Sequence, residues 1–368
     1  MLLRYLIFAV VFVMSGCATI PLQKARMDFF SGNPAEADKT LGECSEMPER
    51  DRLLCYMEKG LILHYMGKYK ESTNTLLKAS KFISEQDFVS VKDQSTAVMI
   101  NDRTTTYKGE YSERLWIHTY LMINFLLQGR PDSALVEAKQ ALEVFDEYPD
   151  PLEEDLFTRA LIALCFENMN QPDSARIEYE KLEKAAGSKT KRPEPITTGK
   201  GEVVLFIARG RIPAKVASDV VLPPSIRISV PRYEESSSYS TVDIKVNDTV
   251  LYPYIVETDM GKVASKSLND RAAHYLTRQA LRAGSKEIIA REIGEENVYV
   301  EILARVVLFL LEEADTRSWE TLPGNLTLAR VTLDAGAHDI TISSGYSNPV
   351  RLEVDIQAGK RIYRSVRF

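Results

Sequence analysis

The spacing of apolar residues changes character near the middle of this chain. After Arg4, positions 5–14 (YLIFAVVFVM) are apolar without interruption. That run has the length of a signal-peptide core and is too short to span a bilayer as a helix. Over 51–83, 116–145 and 155–186 the apolar positions recur with the period of amphipathic helices. Residues 186–200 (AGSKTKRPEPITTGK) have no apolar period and read as a boundary. Beyond it the pattern becomes that of strands. Residues 201–208 (GEVVLFIA) form a buried-strand run, and 225–230 (SIRISV) and 241–246 (TVDIKV) alternate strictly. Asn247 and Asp248 tolerate positive φ and mark a hairpin turn. Helical spacing returns over 259–293 and 296–313. Strands over 326–333, 338–343, 351–356 and 361–366 follow, with Gly336, Gly345 and Gly359 at their turns.

The helical half repeats itself. Tyr56, Gly60, Leu63, Gly67, Tyr69, Ser72, Leu76 and Ala79 fall at the spacings of a tetratricopeptide repeat (TPR). That motif wants small residues where two antiparallel helices press together and large ones in the gaps between them. Phe125, Gly129, Ala134, Ala138 and Ala141 repeat the plan, as do Ala163, Phe166, Ala175 and Tyr179. Pro131 and Pro172 each open a helix, where a missing N–H is harmless. The string Pro-Asp-Ser-Ala occurs at both 131–134 and 172–175. Residues 21–45 read as a degenerate helix pair capping the array. Residues 84–111 break the spacing and read as an irregular insertion, either a contact surface or a spacer. Stacked helix pairs build concave grooves, which makes Tyr56, Leu63, His118 and Phe125 the partner-binding candidates.

Composition narrows the function classes. The chain has 368 residues, 45% apolar and 27% charged, enough for two globular domains with sizeable cores. A net charge of -6 argues against nucleic acid as a main partner. The expected fold class is multi-domain: an all-α TPR-like helical repeat array followed by an α+β domain ending in a small antiparallel β module. The boundaries expected are a signal peptide over 1–16, the repeat domain over 17–186 and a linker over 187–200. The α+β domain spans 201–324, and the module over 325–368 packs on it.

Candidate chemistry is sparse. The four histidines, His64, His118, His274 and His338, are isolated, and none has partners at metal-ligand spacing. His64 and His118 read as packing residues of repeat helices, and His338 as a strand residue at the solvent edge. No nucleophile elbow and no phosphate-binding glycine loop occurs. No catalytic residue, metal or cofactor is expected. Cys44 and Cys55 either bridge two neighbouring helices or stand as separate half-buried thiols; Cys165 reads as a buried thiol. Asp315, Arg317 and Trp319 suit a charge-assisted network under an aromatic cover. In that network Arg317 either pairs with Asp315, locking a helix-to-strand transition, or lines a ligand pocket. Glu312, Glu313 and Asp315 form a carboxylate run that reads as a solvated face. Arg271, Arg278 and Arg282 lie on similar sides of one predicted helix and offer a stripe to anionic glycans or lipid headgroups.

Two resemblances complete the reading. Met14-Ser15-Gly16-Cys17 resembles a bacterial lipobox, whose cysteine is diacylated and becomes the first mature residue. Ala18 in place of Asp after that cysteine implies passage to the outer membrane. The whole chain resembles a family of uncharacterised bacterial outer-membrane lipoproteins with N-terminal TPR repeats. The residues that carry this are Cys17, Tyr107-Lys108-Gly109 before 116–129 (WIHTYLMINFLLQG), Gly201-Glu202-Val203-Val204, and 314–319 (ADTRSW) with Leu322-Pro323 and Ala329-Arg330. The resemblance implies a lipid-anchored, periplasm-facing protein and brings no catalytic residues. The leading expectation is a non-enzymatic adaptor that binds an envelope protein through the TPR groove. The alternative is a peptidoglycan- or polysaccharide-binding lipoprotein; a third is a hydrolase using the Asp315 region.

Overall fold

The computed structural model describes residues 20–90, 105–187, 192–222, 226–271 and 314–368. The signal segment, Cys17, His274, Arg278, Arg282, Glu312 and Glu313, and most of the two helices expected over 259–313, lie outside the described residues.

Helices come first: α1 (Ile20–Phe30), α2 (Pro34–Leu41), α3 (Glu49–Tyr65), α4 (Tyr69–Ser90), α5 (Tyr111–Leu127), α6 (Pro131–Glu147), the one-turn α7 (Pro149–Leu152), α8 (Leu156–Asn168) and α9 (Pro172–Ala186). The pairs α3/α4, α5/α6 and α8/α9 end their first helix identically. Gly67, Gly129 and Asn170 adopt positive φ of 74°, 70° and 54°. The next amide then donates back across the turn, Lys68 to Leu63, Arg130 to Phe125 and Gln171 to Phe166, at 3.0, 2.9 and 2.9 Å. This is the Schellman closure, for which glycine carries no Cβ penalty. Gly60 is needed for a different reason. A Cβ there would sit 2.5 Å from the Cδ2 of buried Leu76 on α4, so the small residue sets how closely that pair packs. Cys44 and Cys55 are joined by a disulfide, Cα–Cα 5.5 Å, tying the turn before α3 to its second turn; Cys165 is free and buried.

The strands are β1 (Lys200–Arg209), β2 (Lys215–Leu222), β3 (Ile226–Tyr233), β4 (Val242–Val246), β5 (Thr249–Leu251) and β6 (Tyr254–Asp259). After α10 (Met260–Asp270) come β7 (Asn325–Asp334), β8 (Gly336–Ser344), β9 (Val350–Ile356) and β10 (Arg361–Arg367). A central sheet has the order β10-β1-β7-β6, with β1 parallel to β10 and antiparallel to β7. An outer sheet has the order β5-β4-β8-β9, and β2-β3 is a separate hairpin. Asn247 and Asp248, at φ 48° and 63°, make the tight β4–β5 turn.

Both faces of β1 are covered. Val204, Phe206 and Ala208 join the core of the helical array, while Val203, Leu205 and Ile207 join a second core against Ile244, Ile340 and Ile342 of the outer sheet. A strand buried on both faces reads as a continuous apolar run rather than an alternation, which is what residues 201–208 show. The layers are therefore helices, central sheet and outer sheet.

Two expectations change. The separate module over 325–368 is not what the topology gives: β7 and β10 flank β1 in the central sheet, and only β8 and β9 belong to the outer one. Strand period reports burial, not which strand pairs with which. The irregular insertion over 84–111 is helical at its start, because α4 continues to Ser90. At its end Tyr107 is buried, its amide donating to the Arg50 carbonyl (3.1 Å).

Candidate functional site

Residues 314–324 lead into β7 without helix or strand, yet most are buried. Buried peptide groups need partners, and here the helical array supplies them. The Trp319 amide donates to Glu113 Oε1 of α5 (2.7 Å), and the Glu320 and Thr321 amides donate to the two carboxylate oxygens of Glu58 on α3 (3.0 and 3.1 Å). Arg26 of α1 donates to the Ser318 carbonyl (2.7 Å) and pairs with Glu58 (2.7 Å) and Glu320 (2.6 Å). The Trp319 ring is fully buried beside Tyr120. The face of α1, α3 and α5 that carries Arg26, Glu58 and Glu113 thus holds an irregular peptide, and that peptide is the chain's own.

Arg317 fastens the start of this segment. Its Nε and Nη2 donate to the two oxygens of Asp315 (2.8 Å each), and Nη1 and Nη2 to the carbonyls of Arg50 (2.8 Å) and Thr105 (3.0 Å). The guanidinium also lies over Tyr107, 5.2 Å from its centroid. With both oxygens of Asp315 engaged, the motif positions backbone. Nearby, Glu110 bonds Lys215 (2.6 Å) and Arg271 (2.8 Å). Burial pushes Glu110 upward, but those two cations outweigh it and hold it at about 2. Arg271 thus pairs inward, against Glu110 and the Tyr111 ring.

Strand β10 straps the array from the same side. Its alternate residues face the helices in turn. Arg361 and Tyr363 reach Asn168 at the end of α8 (2.8 and 2.9 Å), Ser365 reaches His64 near the end of α3 (2.9 Å), and Arg367 lies over Tyr65 (4.7 Å) and Phe29 (5.0 Å). Cations near helix C-termini are favoured by the helix dipole. Behind Arg361, Arg330 forks onto Glu202 (2.7 and 3.0 Å) and Glu167 (2.9 and 3.1 Å) and bonds the Tyr179 hydroxyl (2.7 Å). Arg330, Glu167 and Arg361 border a cavity of about 680 Å³ between the turns at Gly129 and Asn170, residues 193–196 and β10. Arg330 and Arg361 are matched there by Glu167 and Glu202.

Ser365, His64 and Asn124 have the connectivity of a hydrolytic triad. His64 Nδ1 lies 2.6 Å from Asn124 Oδ1, and Asn124 Nδ2 donates to Ser72 (2.8 Å), which donates to the Gly60 carbonyl (2.6 Å). That chain makes Nδ1 the donor and leaves Nε2 to accept from Ser365. Burial lowers His64 to about 4, more than its bond to Asn124 raises it, and Arg367 lowers it further. A general base works best with a pKa near the operating pH, and this imidazole is a much weaker base than that. The relay instead ties β10 to α3, α4 and α5. It also sets a pH dependence. Between about pH 6.5 and 4 the unfolded chain takes up a proton that folded His64 refuses, so stability falls as pH falls through that window, by on the order of 3 kcal/mol. Glu113 and Asp155, raised chiefly by burial, act in the opposite sense, so the comparison must be made against a variant. Urea unfolding at several pH values should show a shallower acid loss for His64→Gln than for the unsubstituted chain. Parallel profiles would contradict the assignment.

The residues expected to bind a partner lie elsewhere. Leu63, His118 and Phe125 are buried and Tyr56 is packed against the core. His118 bonds Glu137 of the paired helix (2.7 Å), as Arg159 bonds Glu178 one repeat later (3.0 Å). His118 thus faces the second helix of its own pair, and Leu63 and Phe125 are closed off by burial. The inner face lies round the helix, at Glu58, His64 and Glu113. Their sequence signal is a charged or imidazole side chain inside an otherwise apolar helical run. His338 bonds Asn247 and the Asp334 carbonyl at the exposed end of β8.

No family model and no curated protein matches the chain. Among solved structures it is similar to the crystal structure of MamA, a TPR-repeat protein, at 12% identity and TM-score 0.34, over 49% of this chain and 85% of that one. A second is MamA from residue 41 onward from Desulfovibrio magneticus RS-1, at 13% identity and TM-score 0.23, over 48% and 99%. By its own elements the chain combines a helix-rich N-terminal region of paired helices with a C-terminal sheet region. Among the described residues no group of His, Cys, Asp and Glu could hold a metal ion, and no helix is long and apolar enough to cross a membrane.

Proposed function

We propose that the chain is a lipid-anchored, non-enzymatic scaffold of the bacterial cell envelope that binds a protein partner on the outer face of its repeat array. The carrying observation is that the second helices of all three pairs expose aliphatic side chains. Leu77 on α4, Val136 on α6 and Ile177 on α9 are 39%, 58% and 45% exposed. Val136 and Ile177 occupy the same repeat position, two residues after the packed Ala134 and Ala175. The inner face is filled by residues 314–324 and β10, so these exposed side chains are the surface the array can offer. Anchoring through Cys17, the outer-membrane location and the periplasm-facing side are supported by the lipobox pattern and the family resemblance.

Photocrosslinkers at Val136 and Ile177 should capture one dominant envelope protein in cells. With the crosslinker moved to Leu77, the double variant Val136→Asp/Ile177→Asp should lose that adduct with little change in unfolding, since both side chains face water. A folded protein that yields no protein adduct from either site would contradict the reading. Polysaccharide or peptidoglycan binding is the second reading. The fully exposed Tyr252 and Tyr346 of the outer-sheet region favour it, offering aromatic faces to sugar rings. Loss of sacculus pull-down in Tyr252→Ala/Tyr346→Ala would support it.

A further inference from the structure

Helix α1 has two unlike faces. Leu22, Ala25 and Phe29 are buried in the array, whereas Ile20 and Met27 are 60% and 63% exposed. Seven residues is nearly two turns, so Ile20 and Met27 project from one side, with Phe30 bordering it. The core is already served by the opposite face, and packing leaves this apolar pair unexplained.

Its place in the chain supplies a partner. Ile20 follows Cys17 by three residues, and three fully extended residues span at most roughly 10 Å. A lipid on Cys17 therefore holds the first turn of α1 within that distance of the bilayer surface. We propose that the Ile20–Met27 face of α1 docks on the membrane, both side chains entering the boundary between headgroups and acyl chains. This rests on the lipid-anchor reading above and deepens it: the anchor is a docked helix rather than a free tether. Helices lying in that plane bind through buried apolar area and, on anionic lipid, through cations. Here Lys24 pairs with Asp28 (3.3 Å), and Arg211, stacked on Phe30 (4.3 Å), pairs with Glu320 (2.8 Å). The apolar side chains therefore carry the contact, and docking should depend weakly on salt. The orientation that follows keeps the α1 side of the array at the bilayer.

The test uses the full lipidated chain in phosphatidylethanolamine/phosphatidylglycerol vesicles. An environment-sensitive fluorophore is placed on Met27→Cys, on Ile20→Cys, and on Tyr346→Cys, between β8 and β9 of the outer sheet, as the control. Cys44 and Cys55 are bridged and Cys165 is buried, so the introduced thiol takes the label. The probes at 27 and 20 should shift to the blue on reconstitution and be quenched by brominated lipid, with the probe at 346 unchanged. Unshifted probes at 27 and 20, on protein whose intact mass shows acylated Cys17, would overturn the docking and leave the anchor standing. An intact mass without acyl groups would overturn the anchor, and the docking with it.

Discussion

Arg330→Met is expected to lower folding stability by roughly 3 kcal/mol, the range for removing one partner from a buried ion pair. Arg330 forks onto Glu202, which is buried beneath the central sheet and the helices, and onto Glu167 and Tyr179. Methionine replaces the stem's packing but leaves those carboxylates under-compensated. Arg361 still reaches Glu202 (2.7 Å) and Glu167 (2.5 Å), which keeps the loss at the lower end. Adding Glu202→Gln removes one stranded charge, so the double variant should be less destabilised than the two single losses added together. Urea unfolding of the four proteins measures this. A loss under about 1 kcal/mol for Arg330→Met would mean that the network is wetter than its geometry implies.

Glu58→Ala is expected to be at least as damaging and to act on the segment rather than on the sheet. Glu58 accepts the Glu320 and Thr321 amides and pairs with Arg26. Each buried donor left without an acceptor costs about 1–3 kcal/mol, and two are stranded at once. Arg26 keeps Glu320 (2.6 Å). Residues 318–322 should then lift from the array and expose Trp319 to water, shifting its fluorescence to the red. Glu58→Gln retains an amide oxygen and should fall between. Wild-type stability and emission in Glu58→Ala would contradict the role given to Glu58.

Local features of the fold were legible in the sequence. Gly67, Gly129, Pro131 and Pro172 set turns and helix starts by their own backbone preferences, so helix pairs follow from spacing alone. The unbroken run at 201–208 announces a strand buried on both faces. What spacing cannot report is long-range pairing. Glu58 and Thr321 are 263 residues apart, and β1 pairs with β10, a strand about as distant as the chain allows after it. The candidate site suffered from a different confusion. TPR spacing marks packing positions, so it selected Tyr56, Leu63, His118 and Phe125, which are buried or packed against the core, whereas Glu58 and Glu113 hold residues 319–321. Asp315, Arg317 and Trp319 stood out by type, but only the fold shows that their partners are helical carboxylates and carbonyls of this same chain.

The central claim is that the array's inner face is filled by residues 314–324 of the same chain, and amide hydrogen exchange tests it most directly. Those residues lie outside any helix or strand, so slow exchange there depends on the side chains of Glu58 and Glu113 and on burial. The amides of Trp319, Glu320 and Thr321 should be protected to a degree comparable with the interior of β1, and should lose that protection in Glu58→Ala while β1 keeps its own. Exchange of the three amides at the rate of an open loop in the unsubstituted protein would contradict the claim and return the groove to an external partner.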